Sequence, residues 1–103
     1  MSKDCNKFAC RKFNTPQGVM VAACDREILG RKLKFNDMEV EIKKEFYFEK
    51  FCSEKELTEL IKEAKIINLF GNKIMELVVN MGIARREDFK IIDNVAHVQI
   101  YKL

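Results

Sequence analysis

Residues 94–100, NVAHVQI, alternate apolar and polar side chains at a period of two, the pattern of a β-strand with one face in a core. Ala96, Val98 and Ile100 take one side, and His97, Gln99 and Tyr101 the other, because successive side chains of a strand point to opposite faces. The apolar triplet is the core side. The second triplet is a row of hydrogen-bonding groups about 7 Å apart, an unusual choice for a face that only has to be wet. It is therefore a candidate for recognising a ligand, RNA or a protein. The plainer alternative is a solvated face, with the His97 ring tied to a neighbouring carbonyl.

Outward from this strand, FKII and VAHVQIY flank Asp93-Asn94, a pair that suits a tight hairpin turn. Upstream, LFGNKIMELVVNM carries Phe70, Ile74, Leu77, Val78 and Met81 on one helical stripe, and the pattern predicts a helix capped by Asn68 and ended by Gly82. SEKE, residues 53–56, reads as a capping box in which Ser53 and Glu56 satisfy each other's backbone N–H. The helix it opens has Leu57, Leu60, Ile61 and Ala64 on its core stripe and should end near Lys65. Only a few residues then separate the two helices.

Nearer the amino end, KFACRKF and GVMVAAC flank TPQG, a hairpin whose turn is set by Pro16 and Gly18. Asp25 can cap a short turn closed by Gly30. KLKF and MEVEI predict a second hairpin around Asn36-Asp37, with Leu33, Phe35, Met38, Val40 and Ile42 facing a core. EFYF, residues 45–48, reads as a strand end or loop over the core edge, or as an exposed aromatic platform on which bases could stack. The sum is an α+β domain: small, two-layered, mainly antiparallel hairpins, with two adjacent helices packed on one face.

The chain has 103 residues, 48% hydrophobic and 34% charged, with one proline. That is one domain, with a loose terminus expected at 1–6, long enough to bury about 60–70% of its unfolded surface. No apolar run approaches the ~20 residues of a membrane helix, and the N-terminus lacks the apolar stretch of a signal peptide. Both point to the cytoplasm. Cys5, Cys10, Cys24 and Cys52 form no C-x-x-C pair and have one histidine to join them, so reduced thiols are expected rather than zinc. No cofactor is expected.

Net charge is +3. Residues 1–35 hold eight Lys or Arg against three acids, and residues 36–103 hold eleven against thirteen. Such asymmetry can make a patch for phosphates or for an acidic partner. Arg11, Lys12, Arg31 and Lys32 are its candidates. Catalysis has less to work with: the serines are Ser2, near the terminus, and Ser53, occupied as a cap, while the carboxylates sit at solvated positions without a close apolar pair. No phosphate-loop motif occurs. NLFGNK comes nearest, placing Gly71 and Lys73 in a helix's first turn, where an anion is favoured; Gly71 can equally permit close packing of the helices. A helix-turn-helix DNA reader is poorly served by Asn72, Lys73, Glu76 and Asn80.

Taken in order, VAACDREILGRKL, EFYF, AKIINLFGNKIMEL and VAHVQIYKL resemble the archaeal family called domain of unknown function 424, from about Phe8 onward. The resemblance rests on Cys24-Asp25 with Leu29-Gly30, Phe46-Tyr47, Asn68-Leu69 with Gly71, and His97 with Gln99. It implies a small α+β fold in archaeal cytoplasm and no assigned activity. It also groups Asn68, Gly71, His97 and Gln99 as residues of one site. The expectation is a non-catalytic module binding RNA or a ribonucleoprotein of the translation apparatus. A module for protein contact or homodimerisation, through EFYF, is second, and a small enzyme using His97 with Asp25 or a cysteine is third. The first requires the basic residues and the His97 row to share an accessible surface.

Overall fold

Alternation in FACRKFNT and GVMVAACD, joined by Pro16-Gln17, makes the long antiparallel pair β1 (Phe8–Thr15) and β2 (Gly18–Asp25). Their turn is tied by the Thr15 hydroxyl, which donates to the Gly18 carbonyl at 2.7 Å. A computed structural model describes residues 6–102; of the expected loose segment 1–6, all but Asn6 lie outside the described residues. After a single 3-10 turn at Arg26–Ile28 come β3 (Lys32–Phe35), β4 (Met38–Glu41), the one-turn helix α1 (Lys44–Tyr47), β5 (Lys50–Cys52) and α2 (Glu54–Glu63). Then follow β6 (Ile66–Phe70), α3 (Asn72–Asn80), β7 (Lys90–Ile92) and β8 (Val95–Tyr101).

Six strands form one sheet in the order β5-β1-β2-β6-β8-β7, and β3-β4 form a separate hairpin. The fold is α+β and mainly antiparallel. Among the described residues its one parallel neighbour pair is β2 with β6. A parallel pair needs a long crossover, and residues 26–65 supply it. Asp93 and Asn94 both have positive φ, 51° and 67°, the conformation of the tight hairpin turn expected there.

Both longer helices lie on one face of the sheet. Leu57 and Ile61 of α2, with Ile74, Leu77 and Val78 of α3, pack on Val21, Ala23, Ile67, Leu69, Ala96 and Val98. Each fully buried Leu or Ile contributes roughly 1.5–3 kcal/mol. The capping box is present: Ser53 Oγ accepts from Glu56 N–H at 3.2 Å and Glu56 Oε1 from Ser53 N–H at 3.0 Å. Past α3, Gly82 N–H donates to Val79 O and Ile83 N–H to Val78 O, a Schellman closure that Gly82 permits at φ 77°.

Four expectations give way. Residues 66–70 are a strand, so Asn68 caps no helix and β6 runs between the two helices. The stretch misleads because Phe70 fits both the helical stripe and a strand face shared with Asn68. Asp25 makes no side-chain cap to its own 3-10 turn; it reaches α3 instead. EFYF folds over the core edge as expected, but as a helical turn rather than a strand end, and it is no open platform: α1 turns Tyr47 inward to 5% exposure, and Phe46 packs on Phe13 at 5.4 Å. Met38 is 66% exposed at the hairpin tip, whereas Leu33 and Ile42 are buried.

Candidate functional site

The face away from the helices is built in rows by strand register. Arg11, Ala22, Asn68 and Gln99 are successive cross-strand partners on β1, β2, β6 and β8. Phe13, Met20, Ile66 and Tyr101 form the next row. Cys24, Phe70, His97 and Lys90 form the row on the other side. These rows hold two cations, one histidine and no carboxylate.

Only part of this face is covered. The turn α1 sits over β1 and β2, and the β3-β4 hairpin closes the far end, where Lys34 N–H donates to Asp93 Oδ2 and the Lys90 ammonium lies 4.6 Å above the Phe35 ring. Between them the sheet is open. Gln99 is exposed, Tyr101 is 64% exposed, and Met20, Ile66, Asn68 and His97 are half-buried.

At the centre, Asn68 Oδ1 accepts from the Tyr47 hydroxyl at 2.6 Å and lies 3.3 Å from His97 Nε2. With the amide oriented this way, the neutral ring carries its proton on Nε2 and keeps Nδ1 as an acceptor. No side-chain polar atom is buried without a partner among the described residues. The ring is stacked on Phe70 with centroids 4.3 Å apart. Burial, and after it the nearby Lys90 charge, hold the His97 imidazole below its ordinary value. Burial also pushes the Tyr47 hydroxyl up. At neutral pH both are therefore uncharged hydrogen-bonding groups. Beyond them, Gln99 Nε2 donates to Tyr101 Oη at 3.0 Å, which holds the phenol beside the amide.

The site residues expected from sequence fall into two groups, with Lys12 and Lys32 in neither. Arg11, Asn68, His97, Gln99 and Tyr101 share the open face. Arg11 is half-buried there, over Phe13 at 4.8 Å and donating to the Glu45 carbonyl. Lys12 points to the helix side and pairs with Glu63 at 3.3 Å. Lys32 alternates with the buried Leu33 and faces away from the sheet. The basic amino-terminal stretch is thus split, and Arg11 alone of the four basic candidates joins the row.

Arg31, Gly71 and Lys73 gather elsewhere, around a cavity of about 390 Å³ also lined by Asp25, Glu27 and Asp93. There the first-turn amides of α3 are already taken. Lys73 N–H and Ile74 N–H donate to the two Asp25 carboxylate oxygens, each at 3.0 Å, and the Lys73 ammonium pairs with Glu27 at 3.2 Å. Burial pushes the Asp25 carboxyl up, opposed by those two amides. Gly71, at φ 136°, would place a Cβ 2.4 Å from Asp25 Cγ. Its role is to let a carboxylate from β2 cap a helix that lacks a capping side chain of its own, rather than to pack helix on helix.

Two comparisons bear on this molecule. A family model described as a protein of unknown function (DUF424) matches residues 13–103. The chain belongs to the DUF424 family. The crystal structure of an uncharacterized conserved protein from Methanopyrus kandleri is similar to it, with 28% identity over 93% of this chain and 91% of that one, at a TM-score of 0.79. No curated protein matches the chain.

Within this DUF424 chain, no three His, Cys, Asp or Glu side chains come together to hold a metal ion among the described residues, and no helix there is long and apolar enough to cross a membrane. Sequence reasoning missed Tyr47 as the donor to Asn68, Lys90 as the second cation of the face, and Asp25 as the cap of α3. Lys90 had a signal: it stands three residues before the Asp93-Asn94 turn, which puts it opposite His97, three residues after the turn. Asp25 had none, because its partners are 48 and 49 residues away.

Proposed function

We propose that this protein is a non-catalytic module that binds single-stranded RNA across the open face of its sheet. What carries the proposal is the pair of rows from Arg11 to Gln99 and from Phe13 to Tyr101: a half-buried guanidinium, two amides and an exposed phenol on one partly open face, with His97 and Lys90 beside them and no acid among them. The exposed Tyr101 ring can stack a base, the amides and the imidazole can read base edges, and the cations can meet phosphates. His97 serves here as a hydrogen-bonding group. Its side-chain partner is an amide rather than a carboxylate or thiol, and its ring is packed on Phe70, which gives proton transfer no second group to work with.

The test is fluorescence anisotropy of a labelled, mixed-sequence single-stranded RNA. Binding should be present at ~50 mM salt and fall as salt rises, with a log–log slope near −0.7 per phosphate contact. Tyr101→Ala should weaken it about 5- to 150-fold, the loss of one stacked base at roughly 1–3 kcal/mol. Absence of binding at ~50 mM salt, with a clean homodimer on sedimentation, would favour a protein-contact module instead.

A further inference from the structure

Each hydrogen bond on the open face uses up some donors and acceptors and leaves others, and three of those left stand side by side. Asn68 Oδ1 accepts from the Tyr47 hydroxyl at 2.6 Å and lies 3.3 Å from His97 Nε2. A carbonyl oxygen has two lone pairs, so this one is fully used. The Asn68 amide can act outward only through Nδ2, which has no partner among the described residues. The 2.6 Å contact suits an O–H donor, because N–H to O contacts are usually about 2.9 Å long. Turning the amide over would also leave the proton of the buried Tyr47 hydroxyl without an acceptor. Tyr47 thereby fixes Asn68 as a donor.

Gln99 stands directly opposite Asn68, where the Cβ atoms of an antiparallel pair are about 4.5–5.5 Å apart. Its Nε2 donates to Tyr101 Oη at 3.0 Å, a length that suits N–H to O, so Oε1 is left as an acceptor. The Tyr101 hydroxyl accepts that bond and keeps its own proton to give. In order across the face, the unused groups are a donor on Asn68, an acceptor on Gln99 and a donor on Tyr101. Of the four RNA bases, uracil alone has the complement in line on its Watson–Crick edge: the O4 carbonyl, N3–H and the O2 carbonyl. Cytosine presents donor, acceptor, acceptor, adenine a donor and an acceptor, and guanine meets the phenol with an amino group.

We propose that Asn68, Gln99 and Tyr101 form a uracil-reading site and that Tyr47 is the positioning residue that sets its polarity. The inference rests on the RNA reading of the open face and adds the identity of the base. Uracil N3–H donates to Gln99 Oε1, while Asn68 Nδ2 and the Tyr101 hydroxyl donate to the two flanking carbonyls. The face of the Tyr101 ring stays available for stacking. His97 supports the site by filling the second lone pair of Asn68 Oδ1, so that the amide has no reason to turn.

The test compares labelled single-stranded RNA oligomers of equal length by anisotropy at one salt concentration: uridylate, cytidylate, adenylate and alternating adenylate–guanylate. Uridylate should bind at least about tenfold tighter than each of the others, the size of one well-made set of base-edge hydrogen bonds. Replacing its bases with N3-methyluridine removes the central donor and should bring it down to the level of cytidylate. Tyr101→Phe keeps the ring and loses the hydroxyl, and should shrink the ratio of uridylate to cytidylate affinity. Tyr47→Phe should shrink the same ratio by freeing the Asn68 amide to turn, an effect that a purely structural role would not produce. Oligomers that all bind alike overturn the uracil site and leave the RNA reading standing. A preference for another base, or one indifferent to N3-methylation, overturns it too. Thymine carries the same edge, so a thymidylate DNA oligomer that binds tighter than uridylate would overturn RNA as its source. If no oligomer binds, both readings fall. The wild-type comparison decides even should the buried Tyr47 variant fold poorly.

Discussion

The two faces of the sheet share the same strands and each carries a buried cluster, but one is roofed by two helices and the other is covered only in part. On the helix side, Ile67, Leu69, Ala96 and Val98 are buried under α2 and α3. One residue along on β6 and β8, the open side presents Asn68, His97, Gln99 and Tyr101. A face meant only to be solvated is served by any lysine, glutamate or threonine, and a face meant to be packed is served by valine. This one carries neutral donors and acceptors, with Tyr47 brought over from α1 to orient Asn68. The difference teaches that the helix face is packed under two helices, while the other face holds a second core, with Leu33, Ile42, Tyr47 and Phe70, only where α1 and the β3-β4 hairpin cover it, and leaves polar groups in the uncovered stretch.

That contrast can be broken at several points. Leu69→Ala, at a fully closed helix-side position, should cost about 3 to 5 kcal/mol in urea unfolding. Gly71→Ala should cost about 3 kcal/mol by the same measurement, because it combines a glycine-only φ with a collision against Asp25; a neutral result would show that the carboxylate cap is easily displaced. A smaller effect belongs to His97. Its imidazole is held below the ordinary 6.5, so between that value and its folded value the unfolded chain binds a proton that the native ring refuses. Stability should therefore fall as pH drops through 6.5 and level off once the native ring is protonated. His97→Gln should remove this component from the stability–pH curve. Gln99→Ala, on the exposed part of the open face, should leave stability within about 0.5 kcal/mol while weakening RNA binding.

Much of this contrast is legible in the sequence. The period-two alternation of residues 95–101 fixes which side chains share a face, and SEKE announces its own capping box. Asp93-Asn94 announces its turn. What is not legible is long-range pairing. Residues 66–70 have too few side chains to separate period two from period 3.6, and the Gly71 that ends the strand looks like a helical glycine until Asp25 is known to stand against it. The row from Arg11 to Gln99 likewise exists only because β6 inserts between β2 and β8, an order that no local pattern encodes. The Tyr47 hydroxyl was hidden among rings that read as an aromatic cluster.

The most direct test of RNA binding on the open face is amide chemical-shift mapping of the 15N-labelled protein titrated with single-stranded RNA. The changes should concentrate at Arg11, Ile66, Asn68, His97, Gln99 and Tyr101 and spare α2 and α3. Shifts confined to the helices, or none at saturating RNA, would contradict the assignment of the open face as the binding surface.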